Sequence, residues 1–91
     1  MQGNNENQKI LIKKLGEIIK KYRKDKNKSM YMISLESCIS KSTWREAEYG
    51  ICKDINLSTL WKISEALEIN AGDLLNEIKE ELDEDFSLLE I

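Results

Sequence analysis

Apolar residues recur every three or four positions along most of this 91-residue chain, and no proline interrupts them. Near the N-terminus, for example, the spacing of Leu11, Leu15, Ile18 and Tyr22 places all four on one face of a helix. The chain also has only four glycines, so few residues favour tight turns or break helices. The pattern predicts an all-α fold, and the length is enough for one small domain.

Polar capping residues divide this pattern into five helices. Ser29, Ser40 and Asn56 each precede a run with helical spacing and can cap the second, third and fourth helices. Asn70, with Asp73 three residues later, can open a fifth. The apolar positions of this last helix keep the helical spacing as far as residue 89: Leu74, Ile78, Leu82, Phe86 and Leu89. We therefore expect an acidic helical extension that runs almost to Ile91.

Several function classes are disfavoured by what the sequence lacks. The chain has no histidine, and Cys38 and Cys52 are too far apart for a CxxC metal or redox motif. It has no phosphate-binding loop either, so we expect neither enzymatic activity nor a metal or other cofactor. The polar N-terminus MQGNNENQ does not resemble a signal peptide, and no apolar run approaches the roughly 18 residues of a membrane span. A cytoplasmic protein is expected.

The charge is divided unequally between the two halves of the chain. The net charge is −3, yet residues 1–45 carry eleven Lys or Arg against four acids, while residues 46–91 carry three against thirteen. A polyanion responds to the local field, so the basic half can bind one despite a sequence pI near 5.0. The alternative is that both halves simply carry solvated surfaces.

Two short helices, predicted over 30–37 and 41–48, are separated by about three residues, as in a helix-turn-helix. The second opens with the sequence SKSTWREAEYG, in which we expect Trp44 to anchor the helix in the core and Gly50 to end it. In such a unit the first turn of the second helix meets base edges in the major groove. Lys41 and Arg45 supply donors there, and the short side chains of Ser42 and Thr43 permit close approach. Alternatively, these four residues form an ordinary solvent-facing turn.

The sequence resembles the Cro and phage-repressor type of helix-turn-helix domain, also called XRE-like. The resemblance rests on SKSTW and EYG around the third helix, LGEIIKKYR in the first, and LWKISEALEINAGDLL in the last two. Met30, Cys38 and Glu46 depart from it, because the family usually has Gln, Gly and a basic or neutral residue there. The resemblance implies a five-helix, lambda-repressor-like fold over residues 9–76. We expect a flexible N-terminus before it, over 1–8, and an acidic amphipathic helix or tail after it, over 77–91.

The resemblance also implies a function and a set of residues. The function is sequence-specific DNA binding by a homodimeric transcriptional regulator, with repression as its outcome. The candidate DNA-binding residues open the second and third helices or follow along the third: Lys28, Ser29, Tyr31, Ser40, Lys41, Ser42, Thr43, Arg45, Glu46 and Tyr49. Arg23 and Glu48 are expected to form a structural ion pair between the first and third helices.

The apolar stripe of the acidic C-terminal segment is a candidate interaction surface. Four residues form it: Ile78, Leu82, Phe86 and Leu89. Exposed stripes of this kind mark partner surfaces, so we predict that this one supplies part of a dimer interface. Docking of the segment onto the domain is the alternative. A competing function is a protein-interaction module with a degenerate helix-turn-helix, which would use the same stripe to bind another protein.

Overall fold

The computed structural model describes residues 5–89, and within them it contains five α-helices and no strand. The helices are α1 (Asn5–Asp25), α2 (Met30–Ser37), α3 (Lys41–Tyr49), α4 (Leu57–Leu67) and α5 (Ala71–Glu80). The predicted all-α, five-helix fold is confirmed. The first helix begins at residue 5, earlier than the predicted boundary at 9. Residues 1–4 of the predicted flexible N-terminus lie outside the described residues.

The polar residues that were expected to cap helices do so. The side chains of Ser29, Ser40 and Asn56 each accept a hydrogen bond from a backbone N–H in the first turn of α2, α3 and α4. Asn70 accepts two such bonds at the start of α5. These side chains satisfy amide groups that have no partner inside the helix, and they fix where each helix begins.

Three helices end on a residue in the left-handed backbone conformation. Gly50 ends α3 with φ of 69°, in agreement with the prediction, but Cys38 after α2 and Glu68 after α4 take φ of 59° with a Cβ atom. A side chain in this region costs about 1 to 2 kcal/mol because Cβ crowds the carbonyl oxygen. The turn of the helix-turn-helix unit therefore contains local strain at Cys38.

Replacing Cys38 by Gly is expected to raise the free energy of unfolding by about 0.5 to 1 kcal/mol. The variant removes the steric penalty, and this gain exceeds the loss from a more flexible unfolded chain. Cys38 is exposed, so little packing is lost. Urea denaturation measures the change. Glu68→Gly serves as the comparison and should gain less, because Glu68 accepts a hydrogen bond from Lys26 at 2.8 Å. A Cys38→Gly variant less stable than the wild type would contradict the proposed strain.

The core lies where α1 crosses α3, α4 and α5, and α2 closes it against α3 and α4. Trp44 is fully buried at its centre, as predicted, and Ile39 in the link between α2 and α3 also lies in it. The remaining core residues come from all five helices: Leu15, Ile18, Ile19, Ile33, Ala47, Ile63, Leu67, Leu74 and Ile78. Because Trp44 and Ala47 belong to α3, burial fixes which face of that helix points outward.

The predicted helical extension stops early. The last helix ends at Glu80, and residues 81–89 form turns that fold back along α1. Asn7 Nδ2 donates a hydrogen bond of 2.7 Å to the Ser87 carbonyl oxygen, and Lys14 Nζ lies 3.9 Å from Glu81 Oε1. The run EELDED explains the early end, since acids repel each other and the negative end of the helix dipole. The end predicted near Ile91 falls on residues 90–91, which lie outside the described residues.

The predicted apolar stripe is consequently not one continuous exposed face. Ile78 is only 4% exposed and belongs to the core, and Leu82 packs against that core. Phe86 is half-buried, while Leu89 remains 76% exposed. Helical spacing would have aligned all four, but the chain leaves the helix after Glu80 and turns part of the stripe inward. The prediction of a dimer interface through this stripe therefore needs correction, because Ile78 is not available at the surface.

Candidate nucleic-acid interface

The third helix has one buried and one exposed face. Trp44, Ala47 and Glu48 point into the domain. Five of the candidate DNA-binding residues are exposed on the opposite face, where a spacing of three and four brings them together: Lys41, Ser42, Arg45, Glu46 and Tyr49. Thr43 is also exposed, at the edge of this face. The structure thus gathers most of the predicted residues on one helix surface.

A buried polar centre locks this helix in place. The Arg23 guanidinium donates to both carboxylate oxygens of Glu48, through Nε to Oε2 and through Nη2 to Oε1 at 3.0 Å. Trp44 Nε1 donates to Glu48 Oε2 at 2.6 Å. The ion pair that the resemblance implied is present, and both residues are less than a tenth exposed. The hydrogen bond to Glu48 raises the pKa of Arg23, so the guanidinium stays charged.

The same guanidinium connects three segments of the chain. Its Nη1 donates to the Lys28 carbonyl oxygen at 2.7 Å, immediately before α2. Arg23 therefore joins the end of α1 to the loop before α2 and, through Glu48, to α3. This connection fixes how the start of α2 lies relative to the exposed face of α3, which is the geometry that a helix-turn-helix needs.

Hydroxyl groups cluster at the start of α3. Ser40 Oγ accepts a hydrogen bond from the Thr43 backbone N–H at 3.1 Å and donates one of 2.8 Å to Thr43 Oγ1. The Ser42 hydroxyl lies 3.3 Å from Ser40 Oγ. Ser40 is thus committed to capping the helix, whereas Ser42 lies on the exposed face beside Lys41. Of the predicted hydroxyl residues, Ser42 is best placed for contact with another molecule.

The basic side chains of the exposed face are not neutralised. Among residues 5–89, neither Lys41 nor Arg45 forms an ion pair with an acid. The Arg45 guanidinium carbon lies 5.4 Å from the centre of the Tyr49 ring, close enough for a cation–π contact that orients the side chain without removing its charge. Both cations are therefore available to an anionic or hydrogen-bond-accepting partner.

The predicted residues around the start of α2 are placed less favourably. Lys28 Nζ pairs with Glu36 Oε1 at 2.6 Å, and Ser29 is occupied as the cap of α2. Tyr31 is 60% exposed and remains available. Met30, which stands where the resembled family usually has Gln, packs against the core. This end of the unit therefore offers one free candidate, Tyr31.

A second basic cluster, which the sequence pattern did not reveal, lies beside the other end of α3. Lys9 and Lys13 of α1 line a surface cleft together with Lys53 of the loop after Gly50. Lys53 is some forty positions from the other two in sequence, and only the packing of α1 on α3 brings them together. The basic N-terminal half of the chain pointed towards Lys9 and Lys13, but Lys53 lies in the acidic half and had no sequence signal.

Neither cysteine contributes a metal site. Cys38 is exposed and Cys52 half-buried, and both are free thiols. Burial raises the pKa of the Cys52 thiol, which keeps it protonated at neutral pH. Within residues 5–89, no group of three or more His, Cys, Asp or Glu side chains could hold a metal ion. In the same range, no helix has the length and apolar character to cross a membrane.

Comparison with known proteins identifies relatives of this chain. Residues 19–74 match the helix-turn-helix family. The fold is similar to that of the clp gene regulator ClgR from Corynebacterium glutamicum, with a TM-score of 0.70 and 24% identity over 77% of this chain and 73% of the other. It is also similar to a chain of the SinR–SinI protein complex, with a TM-score of 0.66 and 30% identity over 78% of this chain and 69% of the other. No curated protein sequence matches.

Proposed function

Because this chain belongs to the helix-turn-helix family of DNA-binding transcription regulators, of the Cro and phage-repressor (XRE) type, we propose that it recognises a specific duplex sequence and represses transcription. The observation that carries the proposal is the exposed face of α3, where Lys41 and Arg45 have no acid partner among residues 5–89. We place the protein in the cytoplasm, with the DNA it regulates. The SinR neighbour was solved in a protein complex, which supports control of this chain by a protein partner as part of the proposal.

In the proposed complex, the exposed face of α3 lies in the major groove. Arg45 donates to guanine O6 and N7, the commonest specific contact in this groove. Glu46 faces a cytosine amino group. Its carboxylate can accept a hydrogen bond from this group, whereas a phosphate would repel it. Lys41 and the Ser42 hydroxyl contact the backbone at the edge of the groove. Tyr49 supports Arg45 from the side through its ring.

Selection from random duplex DNA, followed by footprinting of the enriched sequences, tests this proposal. Enrichment of one motif, protected by the protein in the footprint, is the expected result. If no sequence is enriched at low salt, the proposal fails, and the competing function as a protein-interaction module becomes the better account of this fold.

Arg45→Ala is expected to weaken binding to the selected site by about 1 to 3 kcal/mol and to relax the preference at one base pair. The loss follows from removal of two donors to a single guanine. Lys79→Ala, which removes an exposed cation from α5, is the matched control and should change neither quantity. Titration of both variants against the site and its single-base variants measures the effect. Equal affinity and equal preference for Arg45→Ala would exclude this residue from the reading face.

We further propose that two copies bind as a dimer with two-fold symmetry, so that their α3 helices reach major grooves about 34 Å apart and the selected motif is palindromic. Leu57 and Trp61 support an interface on α4, since they lie four positions apart on one face and are 70% and 55% exposed. Burial of such side chains is favourable when a second copy covers them. This surface replaces the C-terminal stripe, in which Ile78 is buried.

A Leu57→Ser, Trp61→Ser variant is expected to sediment as a monomer at concentrations where the wild type is a dimer. Neither side chain belongs to the core, so the variant should keep its fold, and circular dichroism checks this. Leu89→Ser is the control, because Leu89 is exposed outside α4. A wild type that is monomeric at high micromolar concentration contradicts the dimer. If only Leu89→Ser dissociates it, the interface lies in the C-terminal segment instead.

A further inference from the structure

We propose that Lys9, Lys13 and Lys53 form a second contact with the DNA backbone, beyond the end of α3, and this inference rests on the proposed DNA binding. Two of these lysines belong to residues 5–18 of α1, which precede the region that matches the helix-turn-helix family. The contact is thus built by a part of this chain that the family match does not include, joined to the loop after α3.

The packing of α1 against the end of α3 builds the cleft. Gly50 lies so close to α1 that a Cβ atom on it would be 2.9 Å from the Lys13 Cα. Gln8 Nε2 donates a hydrogen bond of 2.9 Å to the Lys53 carbonyl oxygen, which ties the loop to α1. Seven residues line the cleft: Gln8, Lys9, Lys13, Gly50, Ile51, Cys52 and Lys53. The packing of Gly50 on α1 and the hydrogen bond from Gln8 therefore hold the backbone of the loop that carries Lys53 beside the part of α1 that carries Lys9 and Lys13.

The lysines of this cleft keep their charge available. Lys13 and Lys53 are exposed and form no ion pair among residues 5–89. Lys9 pairs with Glu6 at 4.0 Å, but both side chains are at least three-quarters exposed, so water screens the pair. Asp54 is next to Lys53 in sequence but forms no ion pair with it. Its carboxylate accepts a hydrogen bond from the Ile55 backbone N–H at 2.8 Å instead. Three ammonium groups around an open cleft favour a partner with closely spaced negative charges.

The other side of α1 shows the contrast. There Lys14 lies near Glu17 and Glu81, and Lys21 near Glu77, at distances between 3.7 and 3.9 Å. The acids of α5 and of the segment after it therefore neutralise lysines on that side, and none of these ion pairs reaches the cleft. Lys14 and Lys21 of α1 are thus paired with acids on one side of the helix, whereas Lys13, on the side of the cleft, has no acid partner in the described part of the chain.

The position of the cleft favours the DNA backbone over other polyanions. It adjoins the end of α3, so a duplex whose major groove holds α3 carries its flanking phosphates past this end of the helix. Lysines act as point charges without a preference for particular bases. The contact should therefore add affinity and salt dependence and leave the sequence preference unchanged.

Salt titration of a Lys9→Gln, Lys13→Gln, Lys53→Gln variant tests the inference. The plot of log affinity against log salt concentration should become shallower by about 0.9 for each phosphate that the variant no longer neutralises, so by about 2 to 3 in total. The preference for the selected site over its single-base variants should not change. Lys14→Gln, Lys21→Gln is the matched control, because it removes lysines from the acid-paired side of the same helix, and its slope should equal that of the wild type.

The outcomes separate this inference from the proposed function. A wild type that does not bind duplex DNA defeats both. A wild type that binds a selected site, with a triple variant of unchanged salt slope, defeats the second contact and leaves the proposed function standing. An equal decrease of slope in the triple variant and the control would show a general effect of charge and would also overturn the assignment to this cleft.

Discussion

Replacing Glu48 by Gln is expected to lower the free energy of unfolding by about 3 to 5 kcal/mol, because it leaves a buried guanidinium without its counter-charge. Arg23 and Glu48 are 8% and 5% exposed, so water cannot take the place of the missing carboxylate. Gln is nearly the same size, and its carbonyl oxygen can still accept the hydrogen bond from Trp44 Nε1. The destabilisation therefore reports on the charge rather than on a cavity.

Urea denaturation of the wild type and of the variants named here measures this effect. Glu36→Gln is the matched control, since the Glu36 carboxylate also pairs with a cation, Lys28, but its side chain is 43% exposed. That variant should lose less than about 1 kcal/mol, the usual value of a surface pair. If the free energy of unfolding of Glu48→Gln is within about 1 kcal/mol of the wild-type value, the Arg23 guanidinium finds other partners or water in the variant. Adding Arg23→Met to Glu48→Gln should recover part of the stability, because it removes the stranded charge.

The structure explains why the sequence predicted some elements well. The cap residues Ser29, Ser40 and Asn56 act within one turn of the helices they begin, so their signal is local and visible in sequence. Gly50 is also a local signal, because the left-handed backbone conformation that ends α3 involves this one residue. Trp44 was correctly placed because its neighbours on the helix are polar, which leaves one face for the core.

Other features depend on contacts between distant segments and had no local signal. The apolar spacing of Leu82 and Phe86 fits a helix, yet acids crowd the same segment, and the sequence does not show which effect prevails. The structure shows the segment folded back on α1, where it reaches apolar surface without continuing the helix. The cleft of Lys9, Lys13 and Lys53 likewise exists only because α1 packs against the end of α3.

Helix propensity and packing predict opposite effects of Gly16→Ala on stability, and the structure decides between them. A glycine inside a helix costs about 0.5 to 1 kcal/mol relative to Ala, so propensity alone predicts that Gly16→Ala stabilises the protein. In the structure, however, a Cβ atom on Gly16 would lie 2.4 Å from the Ala47 carbonyl oxygen and 2.6 Å from that of Glu48. Both atoms belong to the backbone of α3, so no side-chain rotation relieves the overlap, and the two helices have to separate.

Gly16→Ala is therefore expected to lower the free energy of unfolding by about 3 kcal/mol, at the upper end of ordinary overpacking, because separation of α1 and α3 also stretches the contacts of Arg23 with Glu48. Gly72→Ala is the control in urea denaturation. Its Cβ would lie 3.0 Å from the Asn70 side-chain oxygen, which has to shift by only a few tenths of an ångström and can keep its capping hydrogen bonds, so the change should stay within about 1 kcal/mol in either direction. A Gly16→Ala variant as stable as the wild type, or more so, would mean that the close approach of the two helices is not needed and that propensity prevails. A destabilised variant that also loses preference for the selected site would link this single glycine, through the seating of α3, to recognition of DNA.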